Sequence, residues 1–285
     1  MTVELVWYWY CATVTAAVLL FGDRAFADGA PWTYAAVHVG FAVALAGIDR
    51  LAPDPTGPRR RFAVGAFTLV ALPSVFTAMS LTLPHVHPEG FEWTWMAADR
   101  ALLGTDPTVA LQRVLVPWFT ELIQWIYASF YFIPIAVIVA AGLRRGAAAF
   151  DRTLLTVVLG FLLSYLGYYL WPTLPPFRFL PHDVPIRGVW MAAELHRAID
   201  DAEFHRWNCF PSGHTMMSLL SLVLAWRHVR PLFVALAPVV ALLVFSTVAL
   251  RYHYFVDVVA GALAVLPTVW FADWLDRTWR GAGAG

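Results

Sequence analysis

The chain has 285 residues, 60% of them hydrophobic and 13% charged, with a formal net charge of zero. A soluble domain carries roughly 25% charged residues, and a soluble chain of this length has too little interior to hide so much apolar surface. The balanced charge excludes a protein that binds nucleic acid through a basic face, and the apolar surplus points to a bilayer.

Eight apolar runs are long enough to cross about 30 Å of hydrocarbon: 4–22, 32–48, 62–83, 117–142, 152–171, 213–227, 231–249 and 254–275. They predict an all-α polytopic membrane helix bundle of about eight transmembrane helices. The run at 213–227 is short and polar at its start. Ala25-Phe26-Ala27, after the first run, looks like a signal-peptidase site, but Glu4 and the lack of a preceding positive charge favour a retained first helix. Residues 1–61 have few polar groups inside their helices and read as scaffold; 62–280 read as the membrane domain that carries the chemistry.

Pro53-Asp54-Pro55-Thr56-Gly57-Pro58 is a turn-rich loop. In 84–116, Trp93 and Trp95, with Trp118 just beyond, fit an interfacial belt, and 92–103 fits an amphipathic helix lying on the surface. The segment 172–211 is the longest polar stretch. The prolines in Trp171-Pro172-Thr173-Leu174-Pro175-Pro176-Phe177-Arg178 should end the fifth helix. Trp190, Met191, Leu195, Ile199 and Phe204 recur at near-helical spacing, which predicts an interfacial helix over 189–204, either a lid or a plain surface helix.

Every basic side chain other than histidine is arginine. Arg50 and Arg59–Arg61, Arg144, Arg145 and Arg152, Arg227 and Arg230, and Arg277 and Arg280 fall on one side if the helices alternate. The positive-inside rule makes that side cytoplasmic, together with both termini. Arg178, Arg187, Arg206 and Arg251 fall on the other side, close in sequence to two polar motifs.

Those motifs are Cys209-Phe210-Pro211-Ser212-Gly213-His214-Thr215 and Arg251-Tyr252-His253-Tyr254-Phe255-Val256-Asp257. An apolar helical hairpin joins them, so both lie at the same face. Ser212 and Gly213 at a helix start can offer backbone N–H groups to an anion. His253 and Asp257 are four apart, so on a helix the carboxylate can orient the imidazole. Taken alone, Ser212 with His214 reads equally as a helix cap beside a core histidine. The two motifs together fit attack on phosphorus. Cys11 and Cys209 are not expected to meet. The sequence shows no metal-ligand spacing, and no cofactor is called for.

The chain resembles the type 2 phosphatidic acid phosphatase superfamily of membrane phosphatases and phosphotransferases, whose site is shared by soluble vanadium haloperoxidases. The family pattern runs Lys-x6-Arg-Pro, then Pro-Ser-Gly-His, then Ser-Arg-x5-His-x3-Asp. The second part is complete as Pro211-Ser212-Gly213-His214; in the third, Ser246, His253 and Asp257 match while Thr247 replaces the arginine; the first is degenerate, because the chain lacks lysine. The clear resemblance covers 96–275. The stretch 171–178 and His253-Tyr254-x-x-Asp257 look like the branch containing inositol-phosphorylceramide synthases.

The resemblance implies a six-helix core with His253 as nucleophile, Asp257 fixing its tautomer and His214 as acid and base. It also implies phosphate binding near Ser212 and Gly213 and metal-independent turnover of a lipid phosphate or phospholipid. Arg178 is the candidate for the first motif's cation. If the seventh helix continues to Arg251, that residue shares a face with Thr247 and replaces the missing arginine. Water as acceptor gives a lipid phosphatase, and a lipid hydroxyl gives a head-group phosphotransferase. A non-catalytic scaffold or a transporter fits less well, because the polar residues gather at one face and not at the midplane. Oligomeric state is not legible.

Overall fold

The computed structural model describes residues 2–25, 30–83, 90–202 and 207–282. The protein is a polytopic helix bundle and a multi-pass membrane protein. Seven described helical segments are long and apolar enough to cross a membrane. In chain order the bundle begins with α1 (Thr2–Ala25), α2 (Ala30–Leu51) and α3 (Pro58–Ala78). The outer helix α4 (Glu92–Leu103) follows. Next come α5 (Pro117–Ala128), α6 (Ile133–Arg145) and α7 (Ala147–Leu170). A second outer helix, α8 (Ala192–Ala202), precedes α9 (Gly213–His228), α10 (Arg230–Ala249) and α11 (Phe255–Ala282). Phe26, Ala27, Phe204 and Arg206 lie outside the described residues.

The structure changes three sequence expectations. The run at 213–227 is helical, but α9 has only 16 residues, roughly 24 Å at 1.5 Å per residue. It is therefore not among the seven long spans. The run at 117–142 is one span, Pro117–Arg145, broken by a 3₁₀ turn over Ser129–Phe132. Pro134 has no N–H to give to the turn before it, so the α-helical ladder is interrupted there. Finally, α10 stops at Ala249 and does not reach Arg251.

Packing follows the apolar pattern. About two thirds of the most apolar window of α7 is buried, twice the share of the other long spans except α2, which is lower still. Leucine, valine and tyrosine all round its circumference leave it no polar face to turn outward. On one side Leu154, Leu155, Val158 and Tyr165 pack with Val3 and Trp7 of α1, Val64 and Val75 of α3, and Leu275 of α11. On the other, Val157 joins Val137 of α6, Met216, Met217 and Leu220 of α9, Leu243 of α10, and Val265 of α11.

The arginine-bearing segments meet at one end of the bundle. Arg61 bonds Asp151, Arg152 bonds Asp276, Arg227 bonds Asp273, and Arg145 donates to the His228 carbonyl. Arg60, buried, reaches Glu4 at 2.8 Å and also Asp49. Both sequence motifs lie at the opposite end, under α4 and α8.

Candidate active site

The start of α9 is built by a helix cap. Ser212 has an extended backbone, and its Oγ accepts the Thr215 N–H at 3.2 Å while its hydroxyl donates to Thr215 Oγ1 at 3.0 Å. Its own N–H goes to the Asp257 carbonyl at 3.0 Å, which ties the two motifs together. The Ser212 N–H is thus taken, and the first-turn donors without an intrahelical acceptor are those of Gly213 and His214. A Cβ at Gly213 would run into the Tyr168 hydroxyl, so a side chain here requires that tyrosine to move. Gly261 of α11 gives a matching close approach: a Cβ there would lie 2.5 Å from the Ser212 carbonyl.

The second motif begins with a helix stop. Arg251 has φ +69°, the left-handed region that normally takes glycine. The Tyr252 N–H returns to the Thr247 carbonyl at 2.9 Å and the Arg251 N–H to the Val248 carbonyl at 3.0 Å. This is the Schellman pattern, with arginine in the glycine position. The expectation of a continuous helix through 251 therefore fails. Arg251 comes to the site because the chain reverses hand there, not because it shares a helical face with Thr247. Its side chain is buried, donates to the Val184 carbonyl, and leaves Nε with no hydrogen-bond partner among the described residues.

Beyond this stop, His253 and Asp257 are buried, 3.4 Å apart between Nδ1 and Oδ2. The closer partner of His253 Nδ1 is the Cys209 carbonyl, at 2.9 Å. A ring proton on Nδ1 is thereby favoured, which leaves the Nε2 lone pair for other chemistry. Asp257 Oδ2 accepts the Tyr254 N–H at 2.9 Å and the Cys209 thiol at 2.9 Å. Cys209 Sγ, His253 Nδ1 and Asp257 Oδ2 lie within 4.8 Å of one another, a group capable of holding a metal ion that the sequence spacing does not reveal.

His214 faces His253 across 5.8 Å between ring centroids. Tyr127 at the end of α5 and Phe130 in the 3₁₀ break that follows it lie against it at 4.4 Å and 4.2 Å between ring centroids. The Tyr127 hydroxyl is 3.3 Å from His214 Nδ1, while Nε2 is buried with no hydrogen-bond partner among the described residues. The helix break thus positions an aromatic wall for His214.

Arg178 is exposed, pairs with Asp200 of α8, and lies 5.4 Å from the Phe177 ring. It joins the outer cluster through its neighbour Phe177, whose N–H bonds the Arg251 carbonyl. Arg187 is exposed on the same outer segment. Half-buried histidines line this cluster. Burial, and then the Arg251 charge, pull His182 down to about 4. Burial likewise takes His196 down to about 4, where it meets the Tyr252 hydroxyl at 2.7 Å.

Carboxylates from outer elements fasten these loops, a role that sequence reading missed. Asp99 accepts the N–H groups of Phe255 and Val256 at 2.8 and 2.9 Å, capping α11 just after His253. Glu92 accepts the Leu174 N–H at 2.7 Å, and Trp95 stacks on Phe210 at 4.0 Å. Helix α4 therefore holds all three motif segments and does not merely lie on the surface. Its buried positions 92, 96 and 99 form one face, and the signal for their role was acidic residues on that apolar face. Glu121 of α5 accepts the N–H groups of Trp190, Met191 and Ala192 at 3.0–3.1 Å and so fixes the start of α8.

Comparison with protein families matches the PAP2 superfamily over residues 94–271. Comparisons with curated proteins and with solved structures give no match. The match takes in both histidine motifs, the outer helices and the helices that position them, and it covers well over half of the sequence. The chain belongs to the PAP2 superfamily.

Proposed function

We propose that the chain is a membrane lipid phosphatase that acts through a phosphohistidine on His253. The observation that carries this reading is the pairing of His253, oriented from behind by Cys209 and Asp257, with His214 across 5.8 Å, beside the open first turn of α9. In this reading His253 Nε2 attacks phosphorus, the bond to the leaving alkoxide or phosphate breaks, and His214 gives that oxygen a proton. His214 then takes a proton from water, which attacks phosphorus and frees His253. The N–H groups of Gly213 and His214 and the unpartnered Arg251 Nε suit the equatorial oxygens. Arg178 is the outer cation of the same pocket, released from Asp200 when an anion binds. The N-terminal helices serve as scaffold.

Catalysis needs no metal in this reading, so turnover should survive EDTA. Vanadate, which mimics five-coordinate phosphorus, should inhibit. Head-group transfer to a lipid hydroxyl uses the same residues; the 171–178 stretch and the His253-Tyr254-x-x-Asp257 form favour it as the second reading. The deciding experiment incubates the purified protein with defined lipid phosphates and acceptors and measures free phosphate and new phospholipid. Release of neither product, with the His253→Ala protein as baseline, overturns the proposal. The motif end faces away from the cytoplasm, in keeping with the arginines at the other end. Cysteine placed at exposed Pro181 should react with an impermeant reagent in intact cells; labelling only after lysis overturns that orientation.

A further inference from the structure

We propose that Cys209, His253 and Asp257 form an inhibitory site for Zn²⁺ directly behind the phosphoryl-transfer centre. Three donors of the kinds zinc prefers converge there: a thiol, an imidazole nitrogen and a carboxylate oxygen. Zinc–sulfur bonds of about 2.3 Å and zinc–nitrogen or –oxygen bonds of about 2.0–2.1 Å, set tetrahedrally, require about 3.5 Å between S and N and about 3.3 Å between N and O. The structure has 3.6 Å between Cys209 Sγ and His253 Nδ1, and 3.4 Å between His253 Nδ1 and Asp257 Oδ2. Only the S to O separation, 2.9 Å, is shorter, because the thiol proton now bridges those atoms. An ion replaces that proton.

A second observation supports the site. Asp257 is fully buried, yet its Oδ1 has no hydrogen-bond partner among the described residues. A buried carboxylate oxygen without a donor is costly, and a cation beside it removes the deficit. Neither cysteine is in a disulfide, so the thiol is available as a ligand.

The consequence for turnover follows from the ring. Zinc needs the Nδ1 lone pair, whereas the resting arrangement keeps a proton on Nδ1, facing the Cys209 carbonyl. Binding therefore sends the Cys209 thiol proton to solvent and leaves the neutral His253 ring with its proton on Nε2. Nε2 then has no lone pair to attack phosphorus. No electron is transferred, and removing the ion reverses every step. The site stands on geometry alone; its inhibitory effect rests on the reading of His253 as nucleophile.

The test uses the purified full chain and Co²⁺ as a spectroscopic stand-in for Zn²⁺. The wild-type protein should develop a sulfur-to-cobalt charge-transfer band that saturates at one ion per chain. Zn²⁺ should abolish the band, and Mg²⁺ should not. Cys11→Ser should keep it; Cys209→Ser and His253→Ala should lose it. Absence of the band from wild type, or its persistence in Cys209→Ser, overturns the site whether or not the preparation turns over a lipid. For activity, each protein is compared with its own zinc-free rate. Cys209→Ser should need at least tenfold more Zn²⁺ than wild type for half inhibition, and EDTA should restore wild type. Equal sensitivity of the two proteins overturns the proposed blockade of Nε2.

Discussion

The two ends of the bundle use the same charged residues in opposite ways. At the arginine-rich end, cations and carboxylates neutralise one another: Arg60 with Glu4 and Asp49, Arg61 with Asp151, Arg152 with Asp276, and Arg227 with Asp273. At the motif end, buried carboxylates are turned to backbone N–H groups: Glu92 to Leu174, Asp99 to Phe255 and Val256, Glu121 to the start of α8, and Asp257 to Tyr254. Arg100–Asp106 and Arg178–Asp200 are ion pairs at the rim of that end. Among the described residues the buried Arg251 side chain donates to a carbonyl there. One end is electrostatically closed and holds helices together. The other uses its acids to fix loops and leaves the Nε of a buried arginine without a hydrogen-bond partner among the described residues.

The largest expected effect tests the open end directly. His253→Ala and His214→Ala should each lower turnover by roughly 10³-fold, within the range for loss of a general acid–base or nucleophilic group. In the proposed mechanism both act in one phosphoryl and proton sequence, so the double variant should be little slower than either single one. Single-turnover kinetics on well-folded protein checks this, and strictly additive losses would separate the two histidines.

The next contrast sets one buried arginine against another. Arg251→Lys should lose roughly 10- to 100-fold in turnover with little change in melting temperature, because an ammonium cannot reproduce a bidentate guanidinium–phosphate contact. Arg60→Ala should do the reverse, costing about 1–3 kcal/mol by removing a charged hydrogen-bond partner from the buried Glu4, while the folded fraction keeps its specific activity. If both variants move the same observable, the division between the ends is wrong. Arginine placed at Thr247 in an Arg251→Ala background should not rescue, because α10 ends between the two positions.

A smaller effect is expected at Glu121. Glu121→Gln turns one acceptor oxygen into an NH2 group that opposes two of the four N–H groups the carboxylate accepts, either those of Trp190 and Ala192 or those of Met191 and the Trp125 indole, for a cost of about 1–3 kcal/mol. Hydrogen exchange should rise first at Trp190, Met191 and Ala192, and the His214 region should remain protected. Uniform exchange across α5 would make Glu121 a general core residue and not an anchor for α8.

The smallest effect is a trend with pH. Burial raises Asp99 from 3.8 to about 6, against the pull of its two backbone bonds. A carboxyl raised on folding favours the folded state when protonated. That contribution is complete below about pH 4 and is lost as pH rises through about 6. Asp99→Asn has no charge to bury, so the stability of wild type relative to the variant should fall between pH 4 and 7 and then level off. Melting temperatures across that range check the sign.

Composition and run length alone determine the membrane class and the helical fold, because backbone groups in hydrocarbon must be satisfied within each segment and apolar side chains must fill its length. The residues Pro211-Ser212-Gly213-His214 and His253 with Asp257 determine the family, since their spacing is local and survives any arrangement of the bundle. Tertiary structure decided the rest. That Ser212 gives its N–H to Asp257, that Cys209 stands behind His253, and that Asp99, Glu92 and Glu121 fasten the loops are contacts between residues 44 to 157 positions apart, and no periodicity encodes such pairs. The turn at Arg251 was hidden for a different reason. Glycine announces a left-handed stop and arginine does not, so only the closed hydrogen bonds from Tyr252 and His253 to Thr247 show that the helix ends before the site begins.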